Sequence, residues 1–466
     1  MNLSRIIEHW AGQSPGKVAL RFEGADWSYA ELWRRIVAVS RALDLAKGDR
    51  IAWLGYNHPD MLVLMFAAAR LGAILVPLNW RLTAAEHREV LRGCEPRGMF
   101  SDAHFADAAR ALGVPMGRLD EIIDAPRAGT DDDELLIVYT SGTTGRPKGA
   151  VLTQSALLWN GYNAIHAHDL GQADHVLSPL PMFHVGGLNI QTVPALLAGA
   201  TVTLQRRFEP GLWLSDVQAA KPTLSLLVPA AMRAVIGHAA WGGTDLSSLK
   251  LLNTGSMVVP ESLIRAFHAR GVPVGQIYGS TETSPVAVVL LRQDATRKIG
   301  SAGKPALHCE VKLVDGEILV RGPNVMRRYW NDPAATTQVL DATGWFRTGD
   351  LARIDEEGFY WIMGRSKDVI ISGGENIYPA ELENVLADCP AIAESAVIGV
   401  PDPKWGEAAC AIVVRKPGAK LDEAAVLALF QERLARYKHP CRVVFSESLP
   451  KNALGKVQKL ELKKRL

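Results

Sequence analysis

Two hydrophobic patterns alternate along much of this chain, and the alternation restricts its fold more than any other feature. Helical spacing of apolar residues covers residues 29–45 and 59–71, and short β-rich runs occupy residues 50–54 and 74–77. Such alternation predicts parallel strands covered by helices on both faces, with ligand sites in the loops that leave the strand ends. Further strand-like runs lie at residues 201–204, 223–228, 249–253 and 274–278.

The pattern changes after residue 310, where short strands are separated by Asp-Gly and Glu-Gly turns. Beyond residue 367 a compact unit follows, with helical spacing at residues 379–386 and 422–436 and strand-like runs at residues 393–399 and 409–415. A chain of 466 residues is too long for one hydrophobic core. We therefore predict an α/β fold with a large N-terminal domain (1–366) of βαβ-rich sheets packed with helices and a small antiparallel barrel-like region, followed by a small α+β C-terminal domain (367–466).

Charge and cysteine content exclude several classes of protein. The 51 basic and 49 acidic residues are mixed along the chain, so no broad basic surface for nucleic acid is expected. The cysteines are far apart and form no CxxC pair, which fits neither a zinc site nor a disulfide framework. They are Cys94, Cys309, Cys389, Cys410 and Cys441. These features indicate small-molecule chemistry in a reducing cytoplasm.

No segment of the sequence has the pattern of an export signal or a membrane span. Arg5, Glu8 and His9 stand where a signal peptide needs an apolar run. The most apolar stretch, residues 61–76, is interrupted by Arg70 and Gly72, and a buried helix and strand explain it better than a transmembrane helix. We expect a soluble, cytoplasmic protein.

Two apolar runs flank a polar loop within residues 135–153, LLIVYTSGTTGRPKGAVLT. Glycines allow backbone N–H groups to face inward, hydroxyl groups add donors, and a lysine adds positive charge, which together suit phosphate oxygens. The residues concerned are Thr140, Ser141, Gly142, Thr143, Thr144, Gly145, Lys148 and Gly149. A Walker loop is disfavoured, because Lys148 is followed by glycine and a strand. The alternative is an ordinary Ser/Gly hairpin turn.

The segment TSGTTGRPKG resembles the phosphate-loop signature of the adenylate-forming enzymes, which include acyl-CoA synthetases, luciferases and peptide-synthetase adenylation domains. The resemblance covers essentially the whole chain, because further motifs follow in the family's order. It implies an ATP-dependent acid:CoA ligase that forms an acyl-adenylate from a fatty or aryl acid and transfers the acyl group to CoA. ATP, Mg2+ and coenzyme A are the implied cofactors, a small carboxylic acid is the implied partner, and a homodimer is compatible with the resemblance.

The run QIYGSTET resembles the family's YGxTE motif. That resemblance places Tyr278 and the adjacent Gly279 at adenine, Thr281 at the α-phosphate and Glu282 at Mg2+, and one carboxylate beside phosphates is enough for this ion. Gly255 and Ser256 fall where relatives contact adenine through the backbone, although the letters depart from the usual Gly-Gly-Ala-Pro. Taken alone, Glu282 would be interpreted as a solvated loop acid.

Three further residues are implied by resemblance to other motifs. GWFRTGD resembles the ribose site and assigns Asp350 to the ribose hydroxyls, and GRSKD adds Arg365 as a ribose or phosphate contact. The alternative for both is a turn stabilised by an Asp–Arg pair. LPMFHVGGLN places His184 between the acyl pocket and the pantetheine tunnel, whereas a lone histidine is more often a hydrogen-bonded core residue.

The segment PKNALGK matches the family pattern that carries the lysine needed for adenylation, here Lys456. A mobile cation lowers the barrier to bringing a carboxylate to a triphosphate of the same charge. IISGGENIYPAE and KWGE resemble segments that approach CoA and supply Gly373, Gly374 and Trp405, with the C-terminal domain turning about Lys367. Plain alternatives are a solvated lysine, a turn and a surface aromatic.

Two other functions remain open from the sequence. An adenylating enzyme that loads a carrier protein or releases acyl-AMP would share every ATP-site residue, although only ten residues follow Lys456, so no fused carrier domain is expected. A non-catalytic nucleotide-binding protein on the same fold is disfavoured by the presence of Lys456, Glu282 and Asp350. The sequence does not distinguish fatty from aromatic acids.

Overall fold

The computed structural model describes residues 2–117, 128–140, 147–257, 259–451 and 457–465. The α-helices in these ranges are α1 Ser4–Gln13, α2 Tyr29–Ala42, α3 Pro59–Leu71, α4 Ala84–Cys94, α5 Ala106–Arg110, α6 Gln154–His168, α7 Val185–Gly187, α8 Val193–Leu197, α9 Pro210–Ala220, α10 Pro229–Ile236, α11 Glu261–His268, α12 Pro333–Val339, α13 Pro379–Ala387, α14 Glu423–Ala428 and α15 Lys459–Lys464. A π-helical turn, Leu188–Thr192, joins α7 to α8.

The strands are β1 Val18–Phe22, β2 Ala25–Ser28, β3 Arg50–Leu54, β4 Ile74–Leu78, β5 Gly98–Ser101, β6 Glu134–Thr140, β7 Lys148–Thr153, β8 His175–Ser178, β9 Thr201–Leu204, β10 Leu224–Leu226, β11 Leu251–Gly255, β12 Val274–Tyr278, β13 Val288–Val289, β14 Lys304–Pro305, β15 Glu310–Val314, β16 Glu317–Arg321, β17 Arg328–Tyr329, β18 Phe346–Ile354, β19 Tyr360–Arg365, β20 Ile370–Ser372, β21 Glu375–Ile377, β22 Ile392–Asp402, β23 Gly406–Arg415 and β24 Arg442–Phe445.

Two mixed sheets form the main part of the large domain. One has nine strands in the order β14-β13-β12-β11-β10-β8-β9-β1-β2, and the other has six in the order β17-β7-β6-β4-β3-β5. The central strands are parallel, as β8–β10–β11–β12 and β5–β3–β4–β6 show, and antiparallel strands lie at the edges. The predicted α/β architecture, with a large domain of sheets and helices and a small C-terminal domain, is confirmed.

Helix α3 lies in the core shared by the two sheets. Every residue of this helix except Asp60 is buried, and its side chains belong to a cluster that includes Leu20 and Val202 of one sheet and Leu75 of the other. The helix begins after His58, whose ring accepts from the Asp60 amide, and it ends at Gly72 in a left-handed conformation. The apolar stretch is thus a buried helix followed by β4, as predicted, and no helix within the described ranges is long and apolar enough to cross a membrane.

The antiparallel region is a four-stranded sheet in the order β15-β16-β18-β19. Its apolar face packs on the edge of the nine-stranded sheet, where Ile318 and Val320 join Ala287 and Val288 in one buried cluster. This contact brings Asp350 and Arg365, which are paired between β18 and β19, close to the end of β12. The antiparallel region predicted after residue 310 is therefore present, and it positions Asp350.

The C-terminal part has its own sheet, β21-β20-β23-β22 with β24 beside β23, and its own core around Leu382, Val397 and Phe430. The helix predicted over residues 422–436 is too long, because α14 ends at Ala428. Beyond it the amides of Phe430, Gln431 and Arg433 bond three residues back rather than four, and Glu432 has φ of 62°. These turns keep Phe430 in the core. The domain boundary at residue 367 stays a prediction.

Candidate active site

The predicted phosphate loop is flanked by two paired strands. β6 and β7 are antiparallel with Thr140 opposite Lys148, and the Thr140 hydroxyl donates to the Lys148 carbonyl at 3.3 Å. The Lys148 ammonium lies 5.3 Å from the ring centre of Tyr329. The other predicted loop residues lie outside the described residues; they are Ser141, Gly142, Thr143, Thr144 and Gly145.

The segment after β12 is held in one conformation by buried amides. A side chain on Gly279 would meet the Pro285 carbonyl oxygen at 1.6 Å, so only glycine fits there. Asn324 donates to the Thr283 carbonyl at 2.7 Å, and Asn160 accepts from the Val286 amide at 2.9 Å. Thr281 is buried and Glu282 half-buried within this fixed segment.

Glu282 has a partner that its motif does not contain. The Tyr329 hydroxyl donates to Glu282 Oε1 at 2.8 Å, although the two residues are 47 apart in the chain. Burial and the neighbouring Glu282 carboxylate raise the pKa of Tyr329 well above its ordinary value, so the phenol stays protonated and acts as donor. Tyr329 therefore orients the carboxylate that is predicted to bind magnesium.

Asp350 connects the four-stranded sheet to the nine-stranded sheet through a hydrogen bond. Tyr278 donates its hydroxyl proton to Asp350 Oδ2 at 2.9 Å, and Arg365 Nε lies 3.0 Å from Oδ1. Asp350 and Arg365 are register partners on β18 and β19. Burial raises the pKa of Tyr278, with a further contribution from Asp350, so this phenol also remains a donor.

Arg365 links the Asp350 and Glu282 groups electrostatically. Burial acts to lower its pKa, but the carboxylates of Asp350 and Glu282 outweigh that effect and raise it. The guanidinium is therefore permanently positive between two carboxylates. With Lys148, it gives the site two cations suited to the negative charge of phosphates.

Gly255 and Ser256 lie at the end of β11, directly beside β12. Gly255 pairs with Ile277, and a side chain on it would meet the Ile277 carbonyl oxygen at 2.3 Å. Ser256 is exposed and has φ of 74°, a left-handed conformation that is unfavourable for serine. The structure thus brings Gly255 and Ser256 to the same sheet edge as Tyr278.

His184 is half-buried and caps a helix. Its Nδ1 accepts from the Gly186 amide at 3.0 Å at the start of α7, so that nitrogen carries no proton in this arrangement. This contact fixes the orientation of the ring, while the role of His184 between the acyl pocket and the pantetheine tunnel stays a prediction. The π-helical turn that follows, Leu188–Thr192, is a geometry often found at functional sites.

The residues predicted to approach CoA form a second group in the small domain. The Gly373 amide donates to the Trp405 carbonyl at 2.8 Å, and a side chain on Gly373 would lie 2.7 Å from the indole ring. Gly373 and Gly374 both have positive φ, 60° and 89°, in the turn between β20 and β21. Trp405 is 49% exposed. Two segments separated in sequence thus present one exposed aromatic over a glycine turn.

Lys456 lies outside the described residues. The chain on either side of it is paired, because Lys451 bridges Val457 and the Gln458 amide donates to the Pro450 carbonyl at 2.8 Å. Across the part of the chain that the structure describes, no three His, Cys, Asp or Glu side chains cluster closely enough to hold a metal by themselves. A cation at Glu282 would need phosphate or water oxygens as further ligands, which Mg2+ accepts.

Two family models match the chain: AMP-binding enzyme over residues 7–330 and AMP-binding enzyme C-terminal domain over residues 381–456. The chain belongs to the AMP-binding enzyme family. The sequence-based assignment to the adenylate-forming superfamily is thereby confirmed.

Similar proteins match this AMP-binding enzyme from end to end. An indoleacetate–CoA ligase of Aromatoleum aromaticum is 48% identical, with 98% of this chain and 97% of the relative covered. A feruloyl-CoA synthase of an Amycolatopsis species is 42% identical over the same shares. The structure of o-succinylbenzoate CoA synthetase from Bacillus subtilis with its acyl-adenylate intermediate superposes with a TM-score of 0.90 at 31% identity, covering 98% and 97% of the two chains.

Sequence reasoning missed the residues that hold the site of this AMP-binding enzyme in place. Tyr329, Asn160 and Asn324 reach the segment after β12 from distant parts of the chain. Each lies in a stretch with ordinary composition, and its function depends on long-range packing. The Tyr278 to Asp350 bond is different, because both residues belonged to predicted motifs and only their contact was unknown.

Proposed function

We propose that this enzyme activates an aromatic carboxylic acid. It is an ATP-dependent, AMP-forming acid:CoA ligase, and the relatives that support this function span the whole chain. The observation that carries the assignment is a set of contacts at the end of β12. The Tyr329 ring lies against Lys148 and its hydroxyl donates to Glu282, while Asp350 accepts from Tyr278 and pairs with Arg365.

In the first half-reaction a carboxylate oxygen of the acid attacks the α-phosphorus of ATP. A bond forms between this oxygen and the α-phosphorus, the bond from the α-phosphorus to the oxygen that bridges it to the β-phosphorus breaks, and pyrophosphate leaves with the electron pair. We infer that Lys148, Arg365 and Lys456 offset the negative charge of the reactants. Glu282, oriented by Tyr329, would hold Mg2+, which supplies further charge neutralisation when bound.

The AMP moiety would be held by the same residues in both half-reactions. Asp350 would accept hydrogen bonds from the ribose hydroxyls, and its contacts with Tyr278 and Arg365 support this proposal because they fix the orientation of the carboxylate. Gly255, Ser256, Tyr278 and Gly279 would surround adenine, and Thr281 with the Thr140 loop would contact phosphate. His184 would separate the acyl pocket from the thiol entrance.

In the second half-reaction the CoA sulfur attacks the acyl carbon. A thioester bond forms, the acyl–oxygen bond to AMP breaks, AMP leaves with its electron pair and the thiol gives up its proton. Gly373, Gly374 and Trp405 are proposed to shape the thiol entrance, since they adjoin one another. We propose that the C-terminal domain turns about Lys367, within the turn Ser366–Asp368, between the two half-reactions.

The two relatives of greatest identity quoted above are named for aromatic acids, and a long-chain-fatty-acid ligase of Mycobacterium tuberculosis is 37% identical. This difference in identity favours an aromatic acid.

The cysteines are unpaired in the structure, and three of them are buried, which suits a reducing compartment. We place the reaction in the cytoplasm, where ATP and CoA are available.

The test is CoA-dependent release of pyrophosphate with a panel of acids. Indole-3-acetate and 4-hydroxy-3-methoxycinnamate should exceed octanoate and palmitate in kcat/KM by about 10-fold or more, the scale on which pockets discriminate. A preference for the fatty acids would contradict the aromatic assignment. Continuous turnover without CoA would instead favour release of acyl-AMP.

Replacing Tyr329 with phenylalanine should lower kcat/KM for MgATP by about 10-fold, because a hydrogen bond to a charged group contributes about 1.5–3 kcal/mol. The concentration of Mg2+ for half-maximal rate should rise, which a purely structural defect would not produce. Tyr360→Phe is the matched control, since its hydroxyl donates to the Val311 carbonyl away from the site. Equal Mg2+ dependence in wild type and Tyr329→Phe would rule out the orienting role.

A further inference from the structure

Two buried amide side chains lie near the end of β11, close to the residues predicted to contact adenine, and they are not fully hydrogen-bonded. Gln191, in the π-helical turn, donates through Nε2 to Asn253 Oδ1 at 2.9 Å and to the Ser225 carbonyl at 3.3 Å. Among the described residues, Gln191 Oε1 and Asn253 Nδ2 have no hydrogen-bond partner. Their residues are only 2% and 1% exposed. We call Gln191 and Asn253 the amide pair.

An unpaired polar group at this depth is unfavourable, so such groups are normally satisfied by protein, water or ligand. The two bonds of Gln191 Nε2 fix the orientation of its amide, because both partners are oxygen acceptors. The amide pair therefore offers one acceptor, Gln191 Oε1, and one donor, Asn253 Nδ2. Together they suit a ligand group that both donates and accepts a hydrogen bond, or two adjacent polar atoms of a ligand.

Asn253 lies on the same face of β11 as Gly255, which is predicted to contact adenine. Side chains alternate along a strand, so Asn253 and Gly255 share one face of β11 about 7 Å apart. Register places Leu226 beside Asn253 and Ile277 beside Gly255, and both belong to an apolar cluster with Val286. Gly275 is opposite Asn253 on β12, and a Cβ there would lie 2.8 Å from Asn253 Nδ2, so the Asn253 amide packs directly over this glycine.

The turn that carries Gln191 is also continuous with the rest of the site. It follows the helix capped by His184, and the carbonyl of Asn189 within it accepts from Asn160 at 2.7 Å. Asn160 in turn holds the Val286 amide behind Glu282. The amide pair thus lies beside an apolar cluster, and a few polar groups among apolar side chains are typical of a small-molecule pocket.

We propose that the amide pair is a specificity site for a hydrogen-bonding group at the end of the acid remote from its carboxylate, such as a ring N–H or a phenolic O–H. This inference rests on the proposed function and deepens it. Gln191 Oε1 accepts the proton of that group, and Asn253 Nδ2 donates to its oxygen where one is present. An acid of the same shape without the polar group leaves the amide pair unpaired, and the enzyme rejects it.

The test compares acids that differ in the polar group. The pairs are indole-3-acetate with 1-naphthylacetate, and 4-hydroxycinnamate with cinnamate, each measured as kcat/KM in CoA-dependent pyrophosphate release. The wild-type enzyme should prefer the polar member of at least one pair by about 10-fold or more. Gln191→Met and Asn253→Leu should reduce that preference to within about 2-fold while the apolar member keeps or improves its kcat/KM.

Thr254→Val is the matched control, because Thr254 is a buried polar residue on the same strand whose side chain points to the opposite face. It should leave the preference unchanged. Equal use of both members of each pair by the wild type would show that the amide pair binds only water, and would overturn the inference while leaving aromatic activation intact. Failure of every aromatic acid would instead remove the proposed function. If either amide variant is unfolded by circular dichroism, Asn253→Asp replaces it, because it keeps the shape of the side chain but removes the Nδ2 donor, and it should reduce the preference for 4-hydroxycinnamate over cinnamate.

Discussion

Lys456→Ala should abolish formation of the acyl-adenylate while leaving conversion of supplied acyl-adenylate and CoA to thioester largely intact. The first half-reaction brings a carboxylate to a triphosphate, and removal of a cation that stabilises phosphoryl transfer costs about 10³-fold or more in rate. The second half-reaction starts from a mixed anhydride whose single phosphate does not oppose a neutral acyl carbon. Pyrophosphate release measures the first reaction, and disappearance of the free CoA thiol measures the second.

Lys463→Ala is the control for this experiment, because Lys463 is an exposed lysine in the same C-terminal segment. It should change neither half-reaction. A parallel loss of both half-reactions in a folded Lys456→Ala protein would contradict the proposed division of roles.

Asp350→Ala should weaken both half-reactions, in contrast to Lys456→Ala. The ribose is present in ATP and in the acyl-adenylate, so loss of two hydrogen bonds to a carboxylate should lower kcat/KM about 100-fold or more in each assay. The substitution also removes the partner of Tyr278 and of Arg365. Part of the loss should therefore appear as weaker binding of AMP, measurable by calorimetry.

Glu310→Ala is the matched control, because Glu310 forms a cross-strand pair with Arg321 in the same antiparallel sheet but is exposed. Exposed pairs of this kind contribute little to stability. A large effect of Asp350→Ala on the first half-reaction alone would show that Asp350 does not hold the ribose.

Local patterns predicted much of this architecture because they act over a few residues. The apolar stretch before Gly72 became α3 and β4, and the strands flanking the phosphate loop became the β6–β7 hairpin. The predicted helix over residues 422–436 failed for a tertiary reason. Burial of Phe430 and the left-handed Glu432 require turns where helical spacing alone would continue the helix.

Compact motifs were enough to name Tyr278, Glu282 and Asp350 as candidates, and their roles stay predictions. The bond from Tyr278 to Asp350 could not be predicted, because it depends on how two sheets pack. The amide pair could not be found from sequence, because Gln191 and Asn253 are 62 residues apart and each resembles an ordinary polar residue in an apolar run. Only the fold shows that their hydrogen bonding is incomplete.

Strand β17 has a consequence for the handling of shortened forms of this enzyme. It contains only Arg328 and Tyr329, but it covers the outer edge of β7 and is fastened by two bonds from Arg328 to Glu134, at 3.0 and 2.9 Å. An uncovered strand edge invites pairing with another chain. A chain cut before residue 328 would expose the hairpin that bears Lys148, so it should self-associate as well as lose activity, and light scattering would detect the change.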